Sequence, residues 1–363
     1  MRILVEQIKA SISNTDEDIF EIAKARIIKT RAFSRILNLY LHKRSIDARN
    51  KNDIKLVCTV CAEVDGTRAS EERLAKFGIK VLSNETLSFE YSGEPLTAPP
   101  LVVGFGPAGM FCALALARAG LKPIVIERGA DVDTRVARVN SFYKTKVLDT
   151  ETNIQFGAGG AGTFSDGKLT TRISDPKCAF VLETFCQHGA PEDIKFKAKP
   201  HIGTDYLRGI VKSIDAEIRA LGGSVFYNTK LNSFTDGVAN TTMGEIKFSS
   251  IVLALGHSAR DTYAYLMEKG MAIEPKAFSV GVRVEHLQSD INEAMYGKYA
   301  GDKRLGAADY NVSYRKDGKG VYSFCMCPGG EVVCASSEEN AVVVNGMSHY
   351  ARDGKNANSA IAV

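Results

Sequence analysis

The sequence predicts an α/β protein organised around a parallel sheet, and residues 101–128 carry this prediction. Leu101–Val103 is an apolar run typical of a buried parallel strand. A Gly-x-Gly-x-x-Gly stretch, a small-residue helix over 110–119 and a second apolar strand over 123–126 follow it. A strand, a glycine-rich turn, a helix and a second strand in this order indicate a Rossmann-type βαβ unit.

The glycine spacing predicts a dinucleotide site. Gly104 permits the tight turn, Gly106 lets a pyrophosphate approach the backbone, and Gly109 lets the helix lie close to the strand. Free N–H groups at the start of the helix attract the phosphates. Glu127 ends the second strand, where an acid accepts ribose hydroxyls. The residues of this unit that we predict to bind the cofactor are Gly104, Gly106, Pro107, Ala108, Gly109, Glu127 and Arg128.

Composition bounds the class of protein. The 363 residues are 45% hydrophobic and 24% charged, as in an ordinary soluble protein, and this length predicts two or three domains. The net charge of +4 is too small by itself to indicate nucleic-acid binding. Arg118 interrupts the longest apolar run, and the N-terminal residues lack the apolar core of a signal peptide. Eight cysteines do not form a disulfide framework at this length, so we expect a cytoplasmic protein without a membrane span.

Residues 1–95 predict a small α+β domain, followed by a proline-containing linker at 96–100. The predicted elements are a strand over 3–8, a helix after the capping box at 15–18, strands over 33–41 and 54–64, and a helix over 70–77. The predicted apolar stripe of the first helix is Ile19, Ile22, Ala23 and Ile27. Cys58 and Cys61 lie three residues apart in a predicted strand and point to opposite faces, which favours buried structural thiols over a redox pair.

A basic segment runs through this domain. Residues 24–55 contain ten lysines and arginines and two aspartates, and include the stretch HKRSIDARNK at 42–51. Such a segment binds an anionic partner, such as RNA or a cofactor phosphate, or forms a solvated basic face.

Residues 99–275 are predicted to form the dinucleotide-binding domain, with a second glycine-rich stretch at 154–169. Because the glycines of this stretch carry no side chains, its backbone could pass close to a large flat ligand. The alternative interpretation is a mobile surface loop. A helix over 204–220 and a buried parallel strand over 250–257 complete the domain. The further residues that we predict to bind the cofactor are Gly159, Gly160, Gly162, Thr163, Ser165, Ala254 and Gly256.

Residues 276–363 predict a β-rich substrate or cap domain, with strands over 279–285, 321–327, 331–335 and 341–345. Two thiols precede a tight turn in FCMCPGG, where they could relay electrons or attack a substrate. The alternative is that they are small apolar residues packed against the turn. Two neighbouring residues, Arg283 and His286, suit an acidic substrate or the cofactor's oxygens, while pairing with Glu285 is the alternative. The catalytic candidates are Asp166, Lys168, Arg283, Cys325 and Cys327, and no metal site is expected.

Several stretches together resemble the two-dinucleotide-binding-fold flavoproteins, and most closely a widespread, uncharacterised branch of bacterial FAD-dependent dehydrogenases. They are VVGFGPAGMFCALALARAGLKPIVIERG, FGAGGAGTFSDGKL, IVLALGHSARD, FCMCPGG and GKNANSA. The resemblance implies FAD, with its pyrophosphate at the first glycine motif and its adenosine ribose at Glu127. It also implies that the loop at 159–168 runs near the ribityl chain or the isoalloxazine ring, and that residues 253–256 border the same cofactor.

This resemblance favours an FAD-dependent oxidoreductase acting on an unidentified small molecule, with NAD(P)H or another electron partner. Members of the group carry a further C-terminal stretch that returns to the nucleotide fold, so we expect this chain to be truncated. Two alternatives are a flavin-dependent RNA-associated modification protein, which would use the basic segment, and a non-catalytic flavoprotein scaffold.

Overall fold

The computed structural model describes residues 1–66, 68–82, 89–171, 173 and 175–363. Its N-terminal domain is an antiparallel sheet with two helices on one face, and the helix side chains share one core with that face. The strand order is β2-β3-β1-β4. The elements are β1 (Arg2–Ser11), α1 (Asp16–Thr30), β2 (Arg35–Asp47), β3 (Lys55–Asp65), α2 (Glu71–Ala75) and β4 (Ile79–Leu82).

The first helix begins at the predicted capping box. Thr15 Oγ1 accepts a bond from the Asp18 amide at 3.3 Å, and the Asp18 carboxylate accepts one from the Thr15 amide at 2.9 Å. Three predicted stripe residues of α1 are buried, but Ile22 is 38% exposed. The prediction for Ile22 is wrong because this residue lies about 100° around the helix from Ala23, at the edge of the stripe. The strand β4 was not predicted.

The cysteines of β3 are both buried free thiols, as expected of structural residues. Cys58 packs in the core beneath the helices, whereas Cys61 lies on the other face, beside Tyr40.

The central domain has three layers. Four parallel strands in the order β7-β6-β5-β11 lie between a helical layer containing α3 and α6 and a three-stranded meander. Numbered from the first strand of the domain, this is the order 3-2-1-4, which confirms the predicted α/β Rossmann-type class. The elements are β5 (Leu101–Val103), α3 (Pro107–Arg118), β6 (Ile124–Ile126), α4 (Val132–Thr145), α5 (Lys177–Gln187), α6 (Gly203–Ala220), β7 (Ser224–Phe226), β8 (Leu231–Thr235), β9 (Val238–Thr241), β10 (Gly244–Lys247), β11 (Ile251–Leu253) and α7 (Arg260–Glu268).

The strand β11 differs from its prediction. It pairs with β5 as expected, but it lies at the edge of the parallel sheet, and Val252 is 37% exposed. A sequence run of apolar residues does not distinguish an edge strand from a central one.

The C-terminal region contains the β-rich layer that the sequence predicts. Its antiparallel sheet has the order β12-β17-β14-β13, and β15 and β16 form a separate pair. Three of its residues, Tyr296, Leu305 and Ala308, join the core of the N-terminal domain. The elements are β12 (Gly281–Leu287), α8 (Gln288–Tyr296), β13 (Ser313–Lys316), β14 (Lys319–Cys327), β15 (Gly330–Cys334), β16 (Val344–Ser348) and β17 (Asn356–Ala362).

No helix among the described residues combines the length and the apolar character that crossing a membrane requires.

A pair of glycine substitutions tests the close packing of α3 on β5. A Cβ on Gly109 would lie 1.9 Å from the Gly104 carbonyl oxygen, so Gly109→Ala should lower the free energy of unfolding by about 1 to 3 kcal/mol. Gly209 lies within α6, is exposed and has open space around its Cβ position. Gly209→Ala should therefore raise the free energy of unfolding by about 0.5 to 1 kcal/mol. Urea unfolding measures both, and equal stability of the two variants would refute the packing argument.

Candidate functional site

A cavity of about 440 Å³ opens at the carboxyl ends of β5 and β11. These adjacent strands flank the point where the strand order reverses, which is where Rossmann-type sheets bind ligands. The volume lies within the range of cofactor sites. The predicted residues that line the cavity are Gly104, Gly106, Pro107, Ala108, Glu127, Arg128, Gly160, Gly162, Ala254 and Gly256.

The first glycine loop brings the ends of two strands together. Gly104 has a φ of +101°, and a Cβ there would lie 2.4 Å from the Ala254 carbonyl oxygen. The helix α3 starts after Gly106, and among the described residues no side chain caps its N-terminus. Pro107 has no N–H, so the amides that follow it in the first turn are the ones available to an anionic group in the cavity.

The second glycine loop packs directly on the first. The Gly159 amide donates to the Phe105 carbonyl at 2.8 Å, and a Cβ on Gly160 would lie 2.9 Å from the Gly106 Cα. A short 3₁₀ helix, Gly160–Phe164, follows, and Thr163 and Phe164 within it are buried. The alternative of a mobile surface loop is therefore wrong, since the glycines allow two backbones to touch.

Arg135 organises the second loop from the protein interior. Its side chain is fully buried, and its guanidinium donates hydrogen bonds to five backbone carbonyls of the loop. These bonds are 2.7–3.3 Å long and reach the carbonyls of Asn153, Ile154, Gly157, Ala158 and Gly160. Five carbonyls therefore converge on one side chain, which fixes the path of the loop.

Glu127, whose charge is opposite to that of Arg135, connects the second glycine loop to the first. Its carboxylate is 5% exposed and accepts bonds from the amides of Phe105 at 2.8 Å, Gly129 at 3.0 Å and Gly157 at 2.8 Å. A carboxylate offers about four acceptor positions, so three amides leave one for a ribose hydroxyl. Ribose binding by Glu127 stays a prediction. The sequence analysis did not predict that the Glu127 carboxylate contacts both glycine loops.

The two buried charges influence each other. Burial lowers the pKa of the Arg135 guanidinium to about 9, while the Glu127 carboxylate opposes that shift. The pKa remains above neutrality, so Arg135 is charged at physiological pH.

An ionic network surrounds Arg128 at the cavity wall. Arg128 bonds Glu151 at 2.7 Å and Asp261 at 2.9 Å, and its guanidinium lies 4.2 Å from the Phe156 ring centre. Burial opposes ionisation of Asp261, but hydrogen bonds from Arg128 and Lys230 outweigh it and lower the pKa of the carboxyl. Sequence reasoning missed the partners of Arg128 because they come from separate segments without a motif.

Four residues predicted to bind the cofactor lie behind the cavity wall. Gly109 packs against Gly104, and Gly159 bonds Phe105. The side chains of the other two form hydrogen bonds to the backbone of the loop. Thr163 donates to the Ala158 carbonyl, and Ser165 donates to the Gly162 carbonyl.

The five catalytic candidates converge in a second place, which we call the polar cluster. It comprises Asp166, Lys168, Arg283, Cys325, Cys327, Ser348, Arg352 and Asn358. None of these residues is among those that line the described cavity. Their convergence does not by itself assign a catalytic role.

Asp166 is the acidic centre of the polar cluster and is 1% exposed. It accepts bonds from Arg352 at 2.5 and 3.0 Å, from Lys168 at 2.6 Å and from the Ser348 hydroxyl. Burial favours its protonated form, but Arg352 and Lys168 outweigh burial and lower the pKa of Asp166 to about 2.

Other residues of the polar cluster connect Asp166 to the thiols of Cys325 and Cys327. Lys168 Nζ lies 3.7 Å from Cys327 Sγ, and Arg283 Nη1 donates to Asn358 Oδ1 at 2.6 Å and to the Cys325 carbonyl at 3.3 Å. Sequence reasoning missed Ser348, Arg352 and Asn358, although Asn358 belongs to the GKNANSA stretch. His286 instead bonds the Tyr310 hydroxyl at 2.8 Å.

Several cations of the basic segment form ion pairs within the N-terminal domain. Arg44 pairs with Asp16, Arg49 with Asp47 and Lys55 with Asp53. The Arg44 backbone also bonds the 196–198 segment of the central domain. Part of the segment therefore joins two domains, while its binding to RNA stays untested.

Replacing Arg135 tests the support of the second loop. Arg135→Met leaves five buried carbonyls and the Glu127 carboxylate without their cationic partner, so it should lower the free energy of unfolding by about 3 to 5 kcal/mol. The control is Arg138→Met on the same helix, where the side chain is 61% exposed and 3.8 Å from Asp149. Urea unfolding that shows similar small losses for both variants would contradict the support role.

The Asp166 ion pairs predict a pH dependence of stability. The folded-state pKa of about 2 lies below the ordinary value of 3.8, so the stabilisation is present above the ordinary value and is lost as pH falls through about 2. Stability measured by urea unfolding should therefore fall from pH 5 to pH 3 more steeply in the wild type than in Asp166→Asn. Asp133→Asn, which changes an exposed carboxylate, should keep the wild-type slope. An unchanged slope in Asp166→Asn would contradict the prediction.

Comparisons with known proteins place the chain in a family. Residues 277–363 match the family model described as FAD-dependent protein, C-terminal domain-like. An uncharacterised protein of Clostridium beijerinckii is 46% identical over 376 aligned residues, which cover all of this chain and 69% of the relative.

Similar solved structures are distant. Glycine oxidase from Geobacillus kaustophilus has 12% identity and a TM-score of 0.36, with 73% of this chain and 71% of that chain covered. L-amino acid deaminase from Proteus vulgaris has 12% identity and a TM-score of 0.32, with 56% and 62% covered. The chain thus spans less than two thirds of the deaminase. By its relative and its family match, the chain belongs to the family of the C. beijerinckii protein, a family of FAD-dependent proteins, and the predicted cofactor FAD is confirmed.

Proposed function

We propose that the chain is an oxidoreductase that would hold FAD in this cavity and would use the bound flavin for hydride or electron transfer with a small-molecule substrate. The observation that carries the proposal is the cavity at the ends of β5 and β11, walled by two glycine loops that touch each other. FAD supplies the redox chemistry when bound, and the chain supplies binding, orientation and electrostatics.

The residues present fit a dinucleotide. The uncapped start of α3 offers amides to the pyrophosphate, and Glu127 retains an acceptor position for a ribose hydroxyl. Gly160 and Gly162 present bare backbone to the cavity, and residues 254–256 close its other side. Each wall of the cavity therefore has a part in the proposed binding.

The polar cluster is our proposed source of substrate selection. It contains three cations, Lys168, Arg283 and Arg352, and one buried carboxylate, Asp166. This excess of positive charge favours an acidic substrate. NAD(P)H or another electron partner would complete the turnover.

The first test is FAD uptake, with Gly106→Ala as the informative variant. A Cβ at Gly106 has ordinary space within the protein, 3.7 Å from the Gly160 Cα, so the variant should fold normally. The methyl group would stand where the pyrophosphate approaches the backbone, so the dissociation constant for FAD should rise at least about tenfold. Quenching of flavin fluorescence measures binding, with urea unfolding as the folding control.

The second test is reduction of the bound flavin. Loss of the visible flavin absorbance on addition of NADH, NADPH or a carboxylate-bearing substrate without oxygen would support the oxidoreductase. A folded wild-type protein that takes up no FAD, or a Gly106→Ala variant that binds it equally well, would refute the proposed site.

A further inference from the structure

We propose that Cys325 and Cys327 form a thiol–disulfide exchange site, which closes to an intramolecular disulfide when a low-molecular-weight disulfide takes up its electrons. The pair belongs to the polar cluster, but this inference does not rest on flavin chemistry. It therefore stands or fails independently of the proposed oxidoreductase.

The first argument is the contact between the two side chains. The Cys327 thiol donates a hydrogen bond to the Cys325 carbonyl oxygen at 3.4 Å, and the two side chains interact with each other. Neighbouring thiols in contact need little movement to form a bond. In a regular strand, Cα atoms two residues apart would be separated by about 6.6 Å, near the upper limit for a disulfide.

The second argument is the irregular backbone at this pair. Phe324 pairs with Ala360 and Cys327 pairs with Asn358, so β14 contains one more residue than β17 between these partners. Cys325 has a φ of +48°, a left-handed conformation that is uncommon outside glycine, asparagine and aspartate. A bulge with this geometry redirects a side chain, and such bulges concentrate beside functional sites.

The third argument is the charge around the sulfurs. Lys168 Nζ lies 3.7 Å from Cys327 Sγ, and Arg283 bonds the Cys325 carbonyl. The interaction with Cys327, together with Lys168 and Arg283, lowers the pKa of Cys325 below its ordinary value against the effect of burial. The same interaction and burial raise the pKa of Cys327. These directions favour Cys325 as the thiolate of the pair and Cys327 as the thiol.

Exposure assigns the same order of reaction. Cys325 is partly exposed, whereas Cys327 is fully buried. A small disulfide can therefore reach Cys325 first, and Cys327 is the resolving thiol. By contrast, burial raises the pKa of the thiols at Cys58, Cys61, Cys112 and Cys186, which makes them poor nucleophiles.

The exchange is balanced in two steps. The Cys325 thiolate attacks one sulfur of oxidised glutathione, breaks its S–S bond and releases one glutathione thiolate. Cys327 then loses its proton to that thiolate and attacks Cys325 Sγ, which releases the second glutathione. One disulfide and two thiols are consumed, and one protein disulfide and two glutathione thiols are formed.

The first experiment uses the full chain in a Cys334→Ser background, because Cys334 lies in the same tryptic peptide as the pair. The reduced protein is equilibrated with oxidised glutathione, alkylated and digested. We expect the peptide from Gly320 to Arg352 to lose both alkylation sites and to regain them after reduction. A peptide that remains doubly alkylated in fully oxidised glutathione overturns the proposal.

Single substitutions in the same background test the roles of the two thiols. Cys327→Ser should trap glutathione on Cys325, whereas Cys325→Ser should react at least about tenfold more slowly at neutral pH. Lys168→Met should slow capture by Cys325, while Lys177→Met, which changes an exposed lysine, should not. A Cys327→Ser protein that folds, by circular dichroism, and captures no glutathione overturns the proposal.

Discussion

Two buried opposite charges, Arg135 and Glu127, hold the two glycine loops in one arrangement. Removing an ion from water costs several kcal/mol unless hydrogen bonds replace the lost hydration. Here the replacement comes from the backbone, because Arg135 reaches five carbonyls and Glu127 accepts from three amides. The loop between them is therefore rigid although it has few side chains of its own.

This support explains how a cavity can be lined largely by bare backbone. Gly106 and Gly160 approach each other because neither has a Cβ, and Gly104 meets the end of β11 for the same reason. The buried charges of Arg135 and Glu127 and the hydrogen bond from the Gly159 amide to the Phe105 carbonyl together maintain this close approach. A binding surface made of backbone can come near a large cofactor without side-chain rearrangement.

The second loop also connects the cavity to the polar cluster. Gly160 and Gly162 line the cavity, and a few residues later Asp166 and Lys168 enter the polar cluster. The thiol pair lies at the far side of this connection, through Lys168 and Cys327.

The sequence by itself determined the local features, because their signals are local. The glycine spacing, the Thr15 capping box and the apolar stripe of α6 depend on residues within a few turns of one another. The parallel-sheet class and ten of the twenty-five residues that line the cavity follow from the same local patterns. FAD, in contrast, came from the family resemblance.

Only the tertiary structure decided which residues of similar type are buried and which meet. Arg128, Arg135 and Arg138 lie in one polar stretch, yet Arg135 alone of these three is fully buried. Its partners are backbone carbonyls, which leave no signature in the sequence. The contact of Cys325 with Cys327 likewise depends on a bulge opposite β17. Two partners of Asp166, Ser348 and Arg352, lie more than a hundred residues away in the chain. Long-range pairing determines these features, and no pattern of neighbouring residues encodes it.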